Sequence, residues 1–123
     1  MGGNPFYLLC AIRRKNAEWL MERLAKEKLL IGWSAGALVL GPTLELIHRY
    51  TPEMNRKGWV KDMDALKLCP FPILPHYSAF IHRFERLEER CQEFEQEYGL
   101  SVLRLNDGDG VFLNEDWSEV IRA

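Results

Sequence analysis

The sequence lacks the features that would direct a chain to a membrane, to the secretory route or to a nucleic acid. No apolar stretch approaches the roughly 20 residues that span a bilayer. The first residues carry no basic flank followed by an apolar run, so we predict no secretory signal and expect a cytoplasmic location. With 16 Lys and Arg against 18 Asp and Glu, the chain offers no basic footprint for nucleic acid.

Cysteine is also scarce. The three residues of this type, Cys10, Cys69 and Cys91, cannot all pair, and their spacings match no zinc motif. Buried free thiols in a reducing compartment are the expected state. The sequence therefore predicts neither a disulfide framework nor a zinc site.

The length and composition are those of one globular domain. The chain has 123 residues, of which 47% are hydrophobic and 28% charged, close to the average for soluble proteins. This balance excludes a disordered tail or a fibrous protein. A single domain is expected over residues 1–123.

Hydrophobic patterning in the first third of the chain predicts helices around one strand. Residues 6–12 are apolar enough for a short buried helix or a strand, and Asn16 is a candidate N-cap for a helix over 17–26. Residues 29–33 form a short continuous apolar run, as expected of a strand buried on both faces. Small and apolar residues then predict a helix over 35–40.

The rest of the chain continues the alternation. A strand is predicted to end at residues 73–74, followed by a long amphipathic helix over 80–98. Another strand is predicted over 101–105, and residues 111–113 and 119–121 are two further short strands. Strands that alternate with helices indicate an α/β fold, with a sheet that has parallel members and an antiparallel edge.

One short motif indicates chemistry. Residues 32–36 read G-W-S-A-G, the G-x-S-x-G pattern of a serine nucleophile on a sharp strand-to-helix turn. The backbone N–H of Ala35 would lie at a helix N-terminus, where it can stabilise an oxyanion. The alternative interpretation is that Ser34 is an ordinary helix N-cap.

A nucleophilic serine needs a base, and the chain has three histidines. His82 falls in the charged helix and His48 in an irregular polar segment, so both are interpreted as surface residues. His76 follows a strand, on the edge where active sites of α/β sheets collect. Asp107 follows the strand over 101–105 and could orient the imidazole, although Asp is also an ordinary residue of an N-D-G turn.

Three stretches resemble the dipeptidase E family of serine peptidases, also called aspartyl dipeptidases. Residues 2–9, GGNPFYLL, look like the family's G-G-N-T-F-x-L-L segment. Residues 32–37, GWSAGA, match its nucleophile motif, and residues 75–77, PHY, look like P-H-[FY] around its catalytic histidine. The three occur in the family's order over nearly the whole chain.

The resemblance implies a role for each candidate residue. Ser34 would be the nucleophile and His76 the general base. The N–H groups of Gly3 and Ala35 would form the oxyanion hole. Asp107 falls where the family places its acidic third member, which is often Glu.

The resemblance also implies a fold and a substrate. The fold would be a three-layer α/β/α sandwich with a flavodoxin-like sheet, as in class I glutamine amidotransferases. The activity would be hydrolysis of dipeptides or short peptides with an N-terminal aspartate, without metal or cofactor. A cation would have to recognise the aspartate, and Arg49, Arg56, Lys57 and Arg83 are all open candidates.

Two departures from the family pattern leave alternatives open. Pro5 replaces a Thr and removes one N–H beside the proposed oxyanion loop. Family members carry several βα units before the G-G-N motif, so residues 29–33 would lie at an exposed sheet edge. A homo-oligomer could cover that edge. Alternatively, the chain is an inactive truncated paralogue.

An α/β-hydrolase esterase also uses G-x-S-x-G, but its triad runs in the order Ser, acid, His. That alternative needs an acid between Ser34 and the histidine. The candidates are Glu45, Glu53, Asp62 and Asp64.

Overall fold

The computed structural model describes residues 3–123. Its helices are α1 (Pro5–Arg14), α2 (Glu18–Glu27), α3 (Ala35–Leu40), α4 (Glu45–Tyr50), α5 (Tyr77–Arg83) and α6 (Leu87–Tyr98). Two single 3-10 turns, Pro52–Met54 and Arg56–Gly58, follow α4. The strands are β1 (Ile73–Leu74), β2 (Leu103–Arg104), β3 (Gly110–Leu113) and β4 (Ser118–Ile121).

Helix α1 settles the open choice between helix and strand for residues 6–12. The side chain of Asn4 caps its first turn and accepts hydrogen bonds from the N–H groups of Phe6 and Tyr7. Pro5 stands at the first helical position, where an N–H would have no intrahelical partner. The loss of that N–H is therefore tolerated by the fold, and Phe6 and Leu9 are fully buried.

Helix α2 is shifted by one residue from its prediction and lacks the predicted cap. Its N-cap is Ala17, which makes no side-chain hydrogen bond. Asn16 instead adopts φ 50° in the turn that closes α1, where its N–H donates to the carbonyl of Arg13. Asn tolerates this left-handed conformation better than most residues. No residue of α2 is buried.

The predicted buried strand over residues 29–33 is wrong. The segment connects α2 to Ser34 without pairing to any strand that the structure describes. Leu29, Ile31 and Trp33 are 72%, 77% and 70% exposed. Strand formation requires a neighbouring backbone, and an apolar run does not supply one.

The strands form two separate pairs. β1 and β2 are parallel, with Ile73 opposite Leu103 and Leu74 opposite Arg104. Strands β3 and β4 form an antiparallel hairpin. The parallel pair and its flanking helices give the α/β fold that the sequence predicted. β2 is shorter than the strand predicted over 101–105, and the N–H of Val102 before it donates to the carboxylate of Glu95.

The predicted helix over residues 80–98 divides into α5 and α6. Phe84 ends α5 with an extended backbone, at φ −109° and ψ 123°, and Arg86 precedes α6 with φ 56°. The ring of Phe84 packs between Tyr50 and Phe80, at centroid distances of 4.8 and 5.3 Å. Gly99 ends α6 with φ 64°, as its position after the last apolar residue predicted.

Two hydrophobic clusters hold these elements together. The larger joins α1, α4 and α6 through residues such as Phe6, Leu46 and Phe94. The smaller packs α3 on the parallel strands through Ala37, Ile73 and Leu105 and includes Cys69. All three cysteines are buried and unpaired. Between residues 3 and 123, none of the helices has the length and apolarity needed to cross a bilayer.

Candidate active site

Ser34 occupies a strained turn at the start of α3. Its backbone has φ 53° and ψ −114°, a combination that non-glycine residues rarely adopt and that costs about 1–3 kcal/mol. Although Ser34 stands at the N-cap position, its side chain makes no capping hydrogen bond. The hydroxyl is therefore available to other partners, which an ordinary N-cap serine would not offer.

Gly32 allows the backbone to approach α3 closely before this turn. A Cβ at Gly32 would lie 2.5 Å from Leu40 Cδ1 and 2.9 Å from the carbonyl oxygen of Gly36. A Cβ at Gly36 would meet nothing within 4 Å. Close approach therefore explains the first glycine of the G-x-S-x-G motif and not the second.

His76 follows β1 directly and starts α5. Its backbone is left-handed, with φ 57° and ψ 30°, so the chain turns sharply between the strand and the helix. The Nε2 atom of its ring lies 3.0 Å from Ser34 Oγ. The Nδ1 atom lies 2.5 Å from Asp107 Oδ1. The three side chains thus form one hydrogen-bonded row.

Asp107 reaches this row because β2 runs parallel to β1. The backbone N–H of Leu105 donates to the carbonyl of Leu74, and the N–H of Tyr77 donates to the carbonyl of Leu105. These bonds fix the two strand ends side by side. His76 and Asp107 emerge at the same edge, 30% and 69% exposed at their side chains.

Side chains in the loop after β2 fix its shape. The carbonyl oxygen of the Asn106 side chain accepts the Ser78 N–H. The Asp109 carboxylate accepts hydrogen bonds from the N–H groups of Ala123 and Asn106 and from the Arg122 guanidinium. Together these bonds lower the pKa of Asp109 to about 2. The role of Asn106 was not foreseen from the sequence, because an N-D-G turn alone does not tell which loop its side chain contacts.

A second polar network supports the strand that carries Asp107. Arg104 donates to the carboxylates of Glu88 and Glu95 on α6, at 2.9 and 2.8 Å. The hydroxyl of Tyr77, the residue after His76, donates to the same Glu88. The hydrogen bond from Arg104 lowers the pKa of Glu95, and the two carboxylates raise that of Arg104 against the opposing effect of its burial. The network ties α6 to both strand ends of the site.

The two predicted oxyanion donors lie at different helix starts. The N–H of Ala35 opens α3, and Ala35 is 3% exposed. Within residues 3–123 this N–H has no hydrogen-bond acceptor. Gly3 is exposed and adopts φ 153°, a conformation that favours glycine. Its neighbour Asn4 anchors it by donating from its side-chain amide to the Met54 carbonyl at 2.5 Å.

The other histidines lie outside the row. The ring of His48 on α4 packs edge-on against Phe6, at 5.8 Å between centroids. His82 is exposed on α5. Asp107, the carboxylate partner of His76, follows that histidine in sequence. The order along the chain is therefore Ser, His, Asp and not the Ser, acid, His order of the esterase alternative. Among residues 3–123 no group of three His, Cys, Asp or Glu side chains could hold a metal ion.

Ser34, His76 and Asp107 form a hydrogen-bonded row at one edge of an α/β unit. Hydrolases with a serine nucleophile use the same arrangement. The sequence model of peptidase family S51 matches residues 1–121. The chain therefore belongs to peptidase family S51.

Several relatives are similar over parts of their length. Peptidase E from Shewanella sp. strain W3-18-1 is 31% identical over 120 residues, which are 94% of this chain and 49% of that protein. Peptidase E from Salmonella heidelberg is 35% identical over 75% of this chain and 40% of that protein. The uncharacterized peptidase Lmo0363 from Listeria monocytogenes is 40% identical over 63% of this chain and 38% of that protein.

A solved structure has the same fold. It is the crystal structure of a protein from Listeria monocytogenes EGD-e that is named for peptidase E. The TM-score is 0.72 at 29% sequence identity, over 99% of this chain and 57% of that chain. This chain thus spans about half the length of the relatives that it matches.

Proposed function

We propose that this chain is a serine peptidase that hydrolyses dipeptides or short peptides with an N-terminal aspartate. One observation carries the proposal, the hydrogen-bonded row from Ser34 Oγ through the His76 ring to Asp107. Membership of peptidase family S51 supports the reaction class. The names of the peptidase E relatives support a place in the same group.

In the proposed mechanism His76 is the general base. Its Nε2 accepts the proton of Ser34 as the serine oxygen attacks the scissile carbonyl carbon. Asp107 accepts the Nδ1–H, which holds the ring in the tautomer that leaves Nε2 free and stabilises the imidazolium that forms. His76 then gives the proton to the leaving amine, and the acyl-enzyme remains on Ser34. A water molecule, activated by the same ring, hydrolyses that ester.

The oxyanion of the tetrahedral intermediate needs donors beside Ser34. We propose the N–H groups of Ala35 and Gly3 for this role. The unpartnered N–H of Ala35 at the start of α3 supports the first assignment. The fixed position of Asn4 supports the second, since Gly3 precedes it directly.

Selectivity for aspartate would require a cation that binds the substrate carboxylate. Of the four candidates, Arg49 is committed to Glu97 at 2.7 Å and stacks on Phe94 and Tyr98. Arg56 and Lys57 line surface depressions beside Trp59. They remain candidates together with Arg83. Substrate kinetics of variants at these three residues would show which of them binds the carboxylate.

The proposal extends to the architecture and the setting. We propose that residues 1–123 are one partial domain of a three-layer α/β/α sandwich with a class I glutamine amidotransferase-like sheet. The part of the Listeria structure that this chain does not cover would correspond to further βα units of such a sandwich. A cytoplasmic location remains a prediction from the sequence.

Hydrolysis of an aspartyl chromogenic amide by the purified chain tests the proposal, with a leucyl amide for comparison. We expect aspartyl-selective turnover that falls by about 10³-fold or more in Ser34→Ala. The matched control is Ser101→Ala, at an exposed serine outside the row, which should keep the wild-type rate. A cooperatively folding chain without turnover would contradict the proposal and support an inactive paralogue.

A further inference from the structure

The imidazole of His76 has a third neighbour besides its two hydrogen-bond partners. The ring of Phe80 packs against it, with 5.6 Å between the ring centroids and 55° between the planes. Aromatic rings in contact lie about 4.5–7 Å apart, and their preferred geometries restrict how one ring can turn against the other. Ser34 and Asp107 bond the two nitrogen atoms, and Phe80 contacts the ring itself.

The hydrogen bonds of the row hold the imidazole only weakly by themselves. The side chain of Asp107 is 69% exposed and that of His76 is 30% exposed. Water competes for polar contacts of that exposure, so they contribute little to fixing a side chain in one orientation. The χ2 torsion of histidine has broad wells and does not fix the ring plane either. A packing contact is therefore needed to keep both nitrogen atoms aimed along the row.

The helix that follows His76 brings Phe80 to this position. The two residues are four apart, and the N–H of Phe80 donates to the carbonyl of His76 at 2.9 Å. Side chains at this spacing are neighbours on a helix surface. Helical side chains also point back toward the N-terminus, so Phe80 lies over the turn that contains His76. The contact thus results from the first turn of α5.

Phe80 is itself supported from the core. Phe84 packs on its other side at 5.3 Å between centroids, and Tyr50 packs on Phe84 at 4.8 Å. Tyr50 belongs to α4 and is 6% exposed. A continuous series of aromatic rings therefore connects the buried core to His76. Because protein interiors are closely packed, Phe80 has little room to move away from the imidazole.

We propose that Phe80 is a positioning residue, which holds the imidazole of His76 with Nε2 toward Ser34 and Nδ1 toward Asp107. The inference rests on the proposed function, in which this ring accepts and returns the proton. A displacement of about 1 Å in a reacting group can lower a rate by about 100-fold. Loss of the Phe80 ring should therefore slow the chemical steps and leave substrate binding nearly unchanged.

Phe80→Leu removes the aromatic contact and keeps an apolar side chain. We expect kcat on the aspartyl amide to fall by about 10-fold, with KM changed by less than about 2-fold. Phe80→Tyr retains the ring and should keep kcat within about 2-fold of wild type. If Phe80→Leu does not fold cooperatively, Phe80→Met takes its place.

A fluorophosphonate measures the same proton transfer without any recognition of aspartate. Ser34 Oγ displaces fluoride from phosphorus, and His76 takes the hydroxyl proton. The rate of this modification should fall in Phe80→Leu by the same factor as kcat. The matched control is Phe94→Leu on α6, at 0% exposure and with its ring stacked on Tyr98. It should lower the unfolding midpoint at least as much and leave both rates of the folded chain unchanged.

The ¹⁵N chemical shifts of the neutral His76 ring decide the proposal even without catalysis, because they show which nitrogen carries the proton. The bond to Asp107 selects the Nδ1–H tautomer, which should dominate in wild type and in Phe80→Tyr. In Phe80→Leu we expect the Nε2–H fraction to rise by at least about 5-fold. A wild-type chain without turnover would refute the proposed function alone. An unchanged tautomer ratio in Phe80→Leu would overturn the role of Phe80, whether or not the wild type is active.

Discussion

Replacing Gly32 by Ala tests the packing that positions Ser34. The new methyl group would lie 2.5 Å from a methyl group of Leu40 and 2.9 Å from the carbonyl oxygen of Gly36. Both distances are shorter than real Cβ contacts. The Leu40 side chain can rotate away, but the Gly36 carbonyl belongs to the backbone of α3 and can move only with the helix.

The expected cost comes from these contacts. Forcing an extra methyl group into a packed position typically destabilises a protein by about 1–3 kcal/mol. The second glycine of the motif is the matched control, because a methyl group at Gly36 meets nothing within 4 Å. Gly36 lies inside α3, where Ala is favoured over Gly by about 0.5–1 kcal/mol. One substitution should therefore destabilise the chain, and the same substitution four residues later should stabilise it.

Urea unfolding followed by circular dichroism measures both effects. We expect Gly32→Ala to lower the unfolding midpoint and Gly36→Ala to raise it, with unchanged m-values. A second variant, Gly32→Ala combined with Leu40→Ala, removes the shorter contact and isolates the clash with the backbone carbonyl. If the two single substitutions changed the free energy of unfolding by the same amount within about 0.5 kcal/mol, close approach could not be the reason for a glycine at position 32.

Two further predictions concern the acidic side chains. Asp107→Asn should lower kcat on the aspartyl amide by about 100-fold, less than the roughly 10⁴-fold expected for a buried triad acid, because Asp107 is 69% exposed. An unchanged kcat would show that Asp107 does not orient His76. Glu95→Gln should destabilise the chain at neutral pH by about 1–2 kcal/mol, since it weakens the bond from Arg104. Because the folded-state pKa of Glu95 lies below its ordinary value of 4.5, the difference from wild type should be complete above that pH and shrink as the pH falls below it. Glu93→Gln, at a 62% exposed carboxylate, is the control and should change the unfolding midpoint little at any pH.

Features that depend on a few neighbouring residues were predictable from the sequence. The end of α3 before the Gly41–Pro42 pair and the end of α6 at Gly99 both result from local backbone preferences. The break between α5 and α6 was not predictable in this way. Phe84 continues the apolar spacing of the helix, so the sequence gives no sign of a break there. The structure shows Phe84 packed against Tyr50, which is distant in sequence, shortly before the turn at Arg86.

The candidate site was more predictable than the fold around it. His76 and Asp107 each come shortly after a strand, and parallel strands bring the residues at their carboxyl ends to one edge. That reasoning needs only the strand ends and not their lengths, so it survives although β1 and β2 have two residues each. The network of Arg104 could not be foreseen, because spacing places Glu88 and Glu95 on one helix face without telling which strand residue lies opposite.

The two halves of the candidate site are held by different interactions. Backbone bonds from Leu103 to Pro72 and from Leu105 to Leu74 fix the strand ends that carry His76 and Asp107. Ser34 depends instead on the packing of α3, since the segment before it has no strand partner within residues 3–123. The distance between Ser34 Oγ and His76 Nε2 is therefore the part of the row most sensitive to the packing of α3 and of residues 29–33 before it.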